Sequence, residues 1–246
     1  MLFNPRLLAG ALLAMLLALT TGCATGPNAN PADPLEPFNR GVTQFNDGVD
    51  RAVMKPVATA YDTVAPRFVR TGVSNFFNNL GDAWSAVNAV LQLKPQAAVD
   101  NFFRFQINTV FGLGGLLDFA SEANIERHKE DFGQTLGRWG VPSGPYLVLP
   151  ILGPSTVRDA AALPVDNWGN AVSHIHDVPV RNYIYVLRAV DARANLLRTS
   201  NVIDQAALDK YSFTRDAYLQ LRRNDVYDGN PPEERAPAPA PTAPAK

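Results

Sequence analysis

Val99, Phe102, Phe103, Ile107, Val110 and Phe111 recur at steps of three, four and one. Only an α-helix brings that spacing to one face, so this stretch sets the fold class before composition is consulted. Pro95 stands where such a helix begins. Val57, Ala58, Tyr61 and Val64 outline an earlier helix that ends before Pro66, because proline disfavours helical geometry in the residue before it. Val186, Leu187, Val190, Leu196 and Leu197 form another face, and residues 202–223 continue a further helical pattern with Asn201 as its cap. Strand-like composition is confined to residues 146–152, and Pro150 demotes that run to an edge strand or an extended loop. The expectation is an all-α domain over residues 33–228.

The first 22 residues read as an address. Arg6 precedes an apolar run of 13 residues, 7–19, which suits an export signal and falls short of the roughly 20 residues needed to cross a bilayer. Cys23 is the only cysteine of the 246 residues, which excludes a disulfide within the chain. The run Leu19-Thr20-Thr21-Gly22-Cys23 resembles the bacterial lipobox, whose cysteine receives a diacylglyceryl group before cleavage and a further acyl chain afterwards. It departs in having Thr20 where the lipobox usually has Leu, with Leu19 one step earlier. Ala24 after the cysteine is similar to sorting patterns for the outer membrane. Residues 1–22 are therefore expected to be a lipoprotein signal peptide, 23–32 a lipidated tether and 229–246 a Pro/Ala tail too poor in apolar residues to pack. Removing 1–22 takes away Arg6 and no acid, which turns a formal charge of −1 into −2. That balance argues against a nucleic-acid binder, whose affinity comes from neutralising phosphates.

Phe76, Phe77, Phe102, Phe103, Phe105 and Phe111 crowd into 36 positions, bracketed by Asn75, Asn78, Asn79, Asn101 and Asn108. Helices that mix aromatic bulk with amides suit a bilayer interface or an amphipathic cavity, and they suit an ordinary helical core with capped ends equally well. Charge is unevenly spread: residues 118–131 hold five acids and two bases, and residues 181–223 hold eight bases and four acids. Such blocks serve as solvated faces or as docking surfaces for partners and anionic lipid heads.

Catalytic patterns are thin. Ser143 lies between Gly140 and Gly144 at the wrong offsets for a nucleophile elbow, and no Ser-x-x-Lys pair occurs. His174 and His176 have no carboxylate or cysteine at a zinc-site spacing. Gly112-Leu-Gly114-Gly115 has Leu117 where the dinucleotide pattern needs a third glycine, so it reads as a flexible helix terminator. Glu130 and Asp131 read as partners of a helix dipole. The chain is expected to be no enzyme, with no cofactor and no metal.

A series of ordered blocks carries a resemblance. Asp33-Pro-Leu-Glu-Pro-Phe-Asn-Arg40, Phe45-Asn46-Asp47, Asn75-Phe-Phe-Asn-Asn-Leu80, Arg104-Phe-Gln-Ile-Asn108, Gly112-Leu-Gly-Gly-Leu116, Glu130-Asp-Phe-Gly-Gln-Thr-Leu136, Trp139-Gly140, Gly144-Pro-Tyr-Leu-Val-Leu-Pro150 and Gly153-Pro-Ser-Thr-Val-Arg-Asp159 are similar to the VacJ/MlaA family. The similarity runs through residues 33–166 and continues more weakly in 209–218. It implies a ring-like bundle of amphipathic helices with a central amphipathic channel, embedded in the inner leaflet of the outer membrane. It also implies a lipid-anchored component that removes mislocalised phospholipids from the outer leaflet, beside a trimeric porin, and passes them to the periplasmic carrier MlaC.

The physical demand fits that implication. A diacyl phospholipid carries about 30 methylenes, so passing its tails through water costs more than about 20 kcal/mol. Its head, conversely, resists an apolar tunnel. On this reading Cys23 is lipidated, and Phe102, Phe103, Phe105 and Phe111 contact bilayer or acyl chains. Arg104 and Asn108 meet head groups or brace the ring, and an internal salt bridge is an equal alternative for Arg104. Gly112, Gly114 and Gly115 hinge a gating loop, while Pro34, Phe38 and Asn39 seat an N-terminal arm. The rival reading is a lipid-anchored scaffold or assembly factor for porins without lipid passage; a phospholipase acting through Ser143 is a third.

Overall fold

The computed structural model describes residues 30–206 and 208–233. The expected signal peptide at 1–22, the lipidation candidate Cys23 and the part of the expected tail from 234 onward lie outside them. Two helices, α1 (Glu36–Val49) and α2 (Lys55–Val64), are joined by a wider π-type turn at Asp50–Met54. Pro56 in the first turn of α2 lacks an N–H. A straight α-helix has no room for its ring, and a single π turn, in which the Lys55 N–H reaches the Asp50 carbonyl, passes it without breaking the rod.

The longest elements, α3 (Arg67–Leu91) and α4 (Pro95–Val110), pack as an antiparallel pair. Leu93 adopts a φ of 58° in the tight turn between them. The short helices α5 (Phe119–Glu122) and α6 (Phe132–Arg138) follow, then the strands β1 (Tyr146–Leu149) and β2 (Gly153–Thr156). The strands pair antiparallel from Tyr146↔Thr156 to Leu149↔Gly153. Pro150 falls in the turn just beyond β1, where no ladder N–H is required. Helix α7 (Val157–Gly169), a short 3₁₀ turn at Ala171–His174, and α8 (Val178–Asn195), α9 (Leu197–Ala206) and α10 (Lys210–Val226) complete the described chain. Fold class is as expected, a helical protein, with one small hairpin added to it.

The helical pattern over 202–223 is split in two, and Asn201 lies inside α9 rather than capping it. The reason is Asp209. Its carboxylate accepts the Tyr211 N–H at 3.1 Å and the Ser212 hydroxyl at 2.7 Å, and Arg40 clamps it at 2.6 Å. A satisfied N-cap with a cationic partner starts a new helix more favourably than it continues an old one.

Burial is inverted relative to a water-soluble domain. Among the described residues 19 polar or charged side chains are buried against 14 apolar ones, and seven of those 14 are alanines. On α3 the inward stripe is Asn79, Asp82, Ser85 and Asn88; on α4 it is Asn101, Arg104 and Asn108. The large apolar groups point the other way, with Phe68, Val90, Phe102, Phe103, Val110, Phe111 and Leu113 all exposed. An ordinary helical core, one of the two readings of the Phe/Asn stretch, is therefore not what these helices build.

Candidate functional site

Three steps along α3 and two along α4 bring polar side chains to the seam between the helices, where Arg104, Asp82, Asp118, Asn108 and Arg127 form one connected network. Arg104 is 1% exposed. Its Nε donates to Asp82 at 3.3 Å, its Nη2 to both Asp118 oxygens at 2.9 Å, and its Nη1 to the Ile125 carbonyl at 2.5 Å. Arg127 adds a bond to Asp82 at 2.8 Å. Asn108 donates to Asp118 and accepts the Ala120 N–H, both at 2.9 Å. Burial opposes ionisation of Asp118, but hydrogen bonds from Ser121 and Asn108 together with the Arg104 charge outweigh it and hold the carboxyl at about 2. For Asp82 burial wins, and its pKa lies above the ordinary carboxylate value despite two arginines.

This geometry corrects the lipid-contact role for Arg104 and Asn108. Every Arg104 nitrogen already has a protein acceptor and the side chain is sealed from the surface, so no head group reaches it; the internal salt bridge is the arrangement found. The phenylalanines behave differently. Phe102, Phe103 and Phe111 are exposed and Phe105 is half-buried, with Phe102 and Phe103 edge to face at 5.8 Å.

Gly112, Gly114 and Gly115 occupy a closed turn rather than a loose joint. The Gly115 N–H bonds the Asn108 carbonyl at 2.8 Å, and the Leu117 N–H bonds that of Gly112 at 2.9 Å. A Cβ on Gly112 would stand 2.2 Å from the Leu117 oxygen, and one on Gly115, at φ 97°, would stand 2.6 Å from the Asn79 amide. Close approach and left-handed backbone account for both glycines, whereas Gly114 has open space around it. The turn carries Phe111, Leu113, Leu116 and Leu117 outward, a compact apolar tip.

The N-terminal arm is tied to the hairpin. Asn39, fully buried, donates to Asp33 at 2.8 Å and to the Tyr146 carbonyl at 3.0 Å, and accepts the Val148 N–H at 2.9 Å. Asp33 takes the Tyr211 hydroxyl at 2.5 Å. Phe38 is exposed, beside an apolar groove with Val42, Phe45 and Pro150.

A second ionic knot, unforeseen in the sequence, joins α6, α7 and α10. Arg222 binds Asp131 through two bonds of 2.6 Å and Asp159 at 2.9 Å, and the Tyr218 hydroxyl reaches Asp159 at 3.1 Å. Burial opposes the Asp159 charge, yet Arg222 and Arg158 hold its carboxyl below the usual range. Next to this knot lies a cavity of about 950 Å³ whose walls mix Arg158, Asp216 and Arg222 with Leu219, Val226 and Tyr227. None of the phenylalanines singled out in the sequence lines it. A readable signal for the network did exist: Asn79, Asp82, Ser85 and Asn88 recur every three residues, a polar stripe at helical period.

Among the described residues no group of three or more His, Cys, Asp or Glu could hold a metal ion, and no helix is long and apolar enough to cross a membrane. His128 lies 3.2 Å from Asp100, and His174 bonds the Trp168 carbonyl at 2.7 Å.

Taken together, these features define a helical protein with an ion-paired interior and a greasy exterior. The family model described as MlaA lipoprotein matches residues 31–225, and the chain belongs to that family. It is 36% identical over 244 residues to the intermembrane phospholipid transport system lipoprotein MlaA of Haemophilus influenzae, covering 93% of this chain and 94% of that one. The protein of the same name from Escherichia coli is 36% identical over 85% of this chain and 84% of its own. A solved structure described as the structural basis for maintenance of bacterial outer membrane lipid asymmetry superposes with a TM-score of 0.70 at 35% identity, over 80% of this chain and 99% of that chain.

Proposed function

We propose that this protein is a lipid-anchored component of the outer membrane. It takes phospholipids out of the outer leaflet, where they are misplaced, and passes them intact toward a periplasmic carrier, so that lipid asymmetry is kept. The single observation that carries this reading is the inverted distribution of polarity. Exposing Phe102, Phe103, Val110, Phe111 and Leu113 to water forfeits about 1.5–3 kcal/mol for each large side chain left unburied. Placing them against lipid removes that cost, and the buried Arg104 network then sits inside a shell that excludes both water and acyl chains.

On this reading the helices lie in the inner leaflet as a ring, held there by the acylated Cys23 and by the apolar tip at 111–117. The amphiphile passes through a lumen with mixed walls, of which the cavity beside Arg158, Leu219 and Tyr227 is a part. Transfer alters no covalent bond, so no catalytic group is needed. A trimeric porin beside the ring and the soluble carrier MlaC are the expected partners. The relatives' own names, which speak of intermembrane phospholipid transport, support this assignment.

The test is chemical labelling of surface-exposed aminophospholipid in intact cells with and without the protein. Accumulation of labelled lipid in its absence, restored by the wild-type chain, is the expected result. Unchanged labelling together with lowered porin assembly would instead favour a scaffold.

A further inference from the structure

The start of α3 contradicts the usual charge order of helices. The N-terminal turn of a helix carries partial positive charge and favours acids, but here it holds Arg67 and Arg70, no acid and no side-chain cap. A cavity of about 510 Å³ opens at this turn, between α3 and the junction of α8 with α9. Arg67, Arg70 and Arg198 line it against a single acid, Asp62, which leaves a formal charge of +2.

Two further facts separate this cavity from an ordinary solvated patch. Arg70 pairs with Asp62 through Nη1, yet its Nε is buried with no hydrogen-bond partner. Arg67 and Arg198 make no ion pair among the described residues. Thr71 supplies a hydroxyl on the wall, while Ser74 and Asn195 are already committed to Asp191, at 2.8 and 3.3 Å. Counting Asp191 behind them still leaves the site at +1. Beside the charged mouth stand three outward apolar side chains, Val64 at 80%, Phe68 at 78% and Leu196 at 55% exposure.

Three arginine side chains around a positive helix end ask for an anion with several oxygens, and phosphate meets that demand best. The neighbouring greasy shoulder asks for hydrocarbon attached to it. We infer that the cavity binds the phosphodiester of a phospholipid head group, with the glycerol and acyl portion lying along Val64, Phe68 and Leu196. The inference rests on the reading of the chain as a phospholipid-handling protein and adds a head-group clasp that is separate from the Arg104 network and from the cavity beside Arg222.

The experiment is calorimetric titration of the full-length, detergent-solubilised protein with dihexanoyl phosphatidylglycerol, inorganic phosphate and dihexanoylglycerol. Wild type is expected to bind the phosphatidylglycerol, and the R67Q/R198Q double variant to bind it at least about tenfold more weakly, with dihexanoylglycerol unaffected. Both replaced arginines are exposed and make no ion pair among the described residues, so the fold is expected to persist, as circular dichroism would confirm. D62N provides a gain that misfolding cannot imitate: relieved of the competing carboxylate, Arg70 is expected to bind the lipid several-fold more tightly. Equal affinity in wild type and double variant, or no binding at all, overturns the proposal. Inorganic phosphate binding as tightly as the lipid, and lost in the same variant, assigns the cavity to free phosphate and overturns the lipid part. The transport reading fails separately, on surface labelling of cells, whatever the purified protein binds.

Discussion

Asn39 stands in for a strand beside Val148. Its side-chain oxygen accepts the Val148 N–H at 2.9 Å while its amide donates to the Tyr146 carbonyl at 3.0 Å, so an asparagine on α1 closes the free edge of β1 across 109 residues of chain. The same amide grips Asp33, and through it the Tyr211 hydroxyl of α10. Replacing Asn39 with alanine leaves several buried polar groups unpaired, at about 1–3 kcal/mol each. A drop in the thermal midpoint of the detergent-solubilised protein is the expected outcome, with Asn39→Asp no better, because it puts a second carboxylate against Asp33.

Arg104 holds Asp82 and Asp118 at once, and removing it strands both carboxylates in the interior. Arg104→Ala is expected to cost about 3–5 kcal/mol of stability, read as protease sensitivity and a lowered unfolding midpoint. Arg104→Lys keeps the charge and loses the fork, and falls between the two.

Acid should loosen the same seam. The Asp118 carboxyl is depressed from 3.8 to about 2 in the folded protein. Its contribution to stability is therefore complete above pH about 3.8 and is lost as pH falls toward about 2. Asp82, displaced upward by burial, works in the opposite sense and in a different window: acid relieves its cost above pH about 3.8, before the Asp118 loss begins. Asp118→Asn is expected to flatten the dependence of the unfolding midpoint between those two pH values.

The glycines of the 112–115 turn divide by geometry. Gly112→Ala and Gly115→Ala force a methyl group onto the Leu117 oxygen and the Asn79 amide, and are expected to lower the yield of folded protein severely. Gly114→Ala meets nothing within 4 Å and pays only for its φ of 73°, about 1 kcal/mol. Unfolding curves of the three variants check the order, and surface lipid labelling with Gly114→Ala tests whether the turn also gates passage.

The apolar tip should matter to lipid and not to folding. In a Cys23→Ser background, which removes the proposed acyl anchor, Phe111→Ser with Leu113→Ser is expected to leave the unfolding midpoint within about 0.5 kcal/mol of its parent. Flotation with phosphatidylethanolamine/phosphatidylglycerol vesicles should fall several-fold. Unchanged flotation would remove the tip from membrane contact.

Much of the fold was legible. The helices at Pro95–Val110 and Lys55–Val64 follow from apolar spacing and proline placement, because both are local constraints on backbone geometry. The break at Asp209 was not, since its cap is secured by Arg40 from the far end of the chain, 169 residues away. Arg222 escaped notice for the same reason: its acids, Asp131 and Asp159, lie 91 and 63 residues earlier.

On α4 two stripes are equally plain in the sequence, one of Val99, Phe102, Phe103 and Val110, the other of Asn101, Arg104 and Asn108. The sequence by itself determined that the segment is a helix with those two faces, and that glycine must end it, because dihedral preference and side-chain period act within a few residues. Which face turns inward was decided only in three dimensions. Arg104 finds Asp82 on α3 and Asp118 past the turn, and a buried cation with two carboxylates can remain inside only where those partners arrive together.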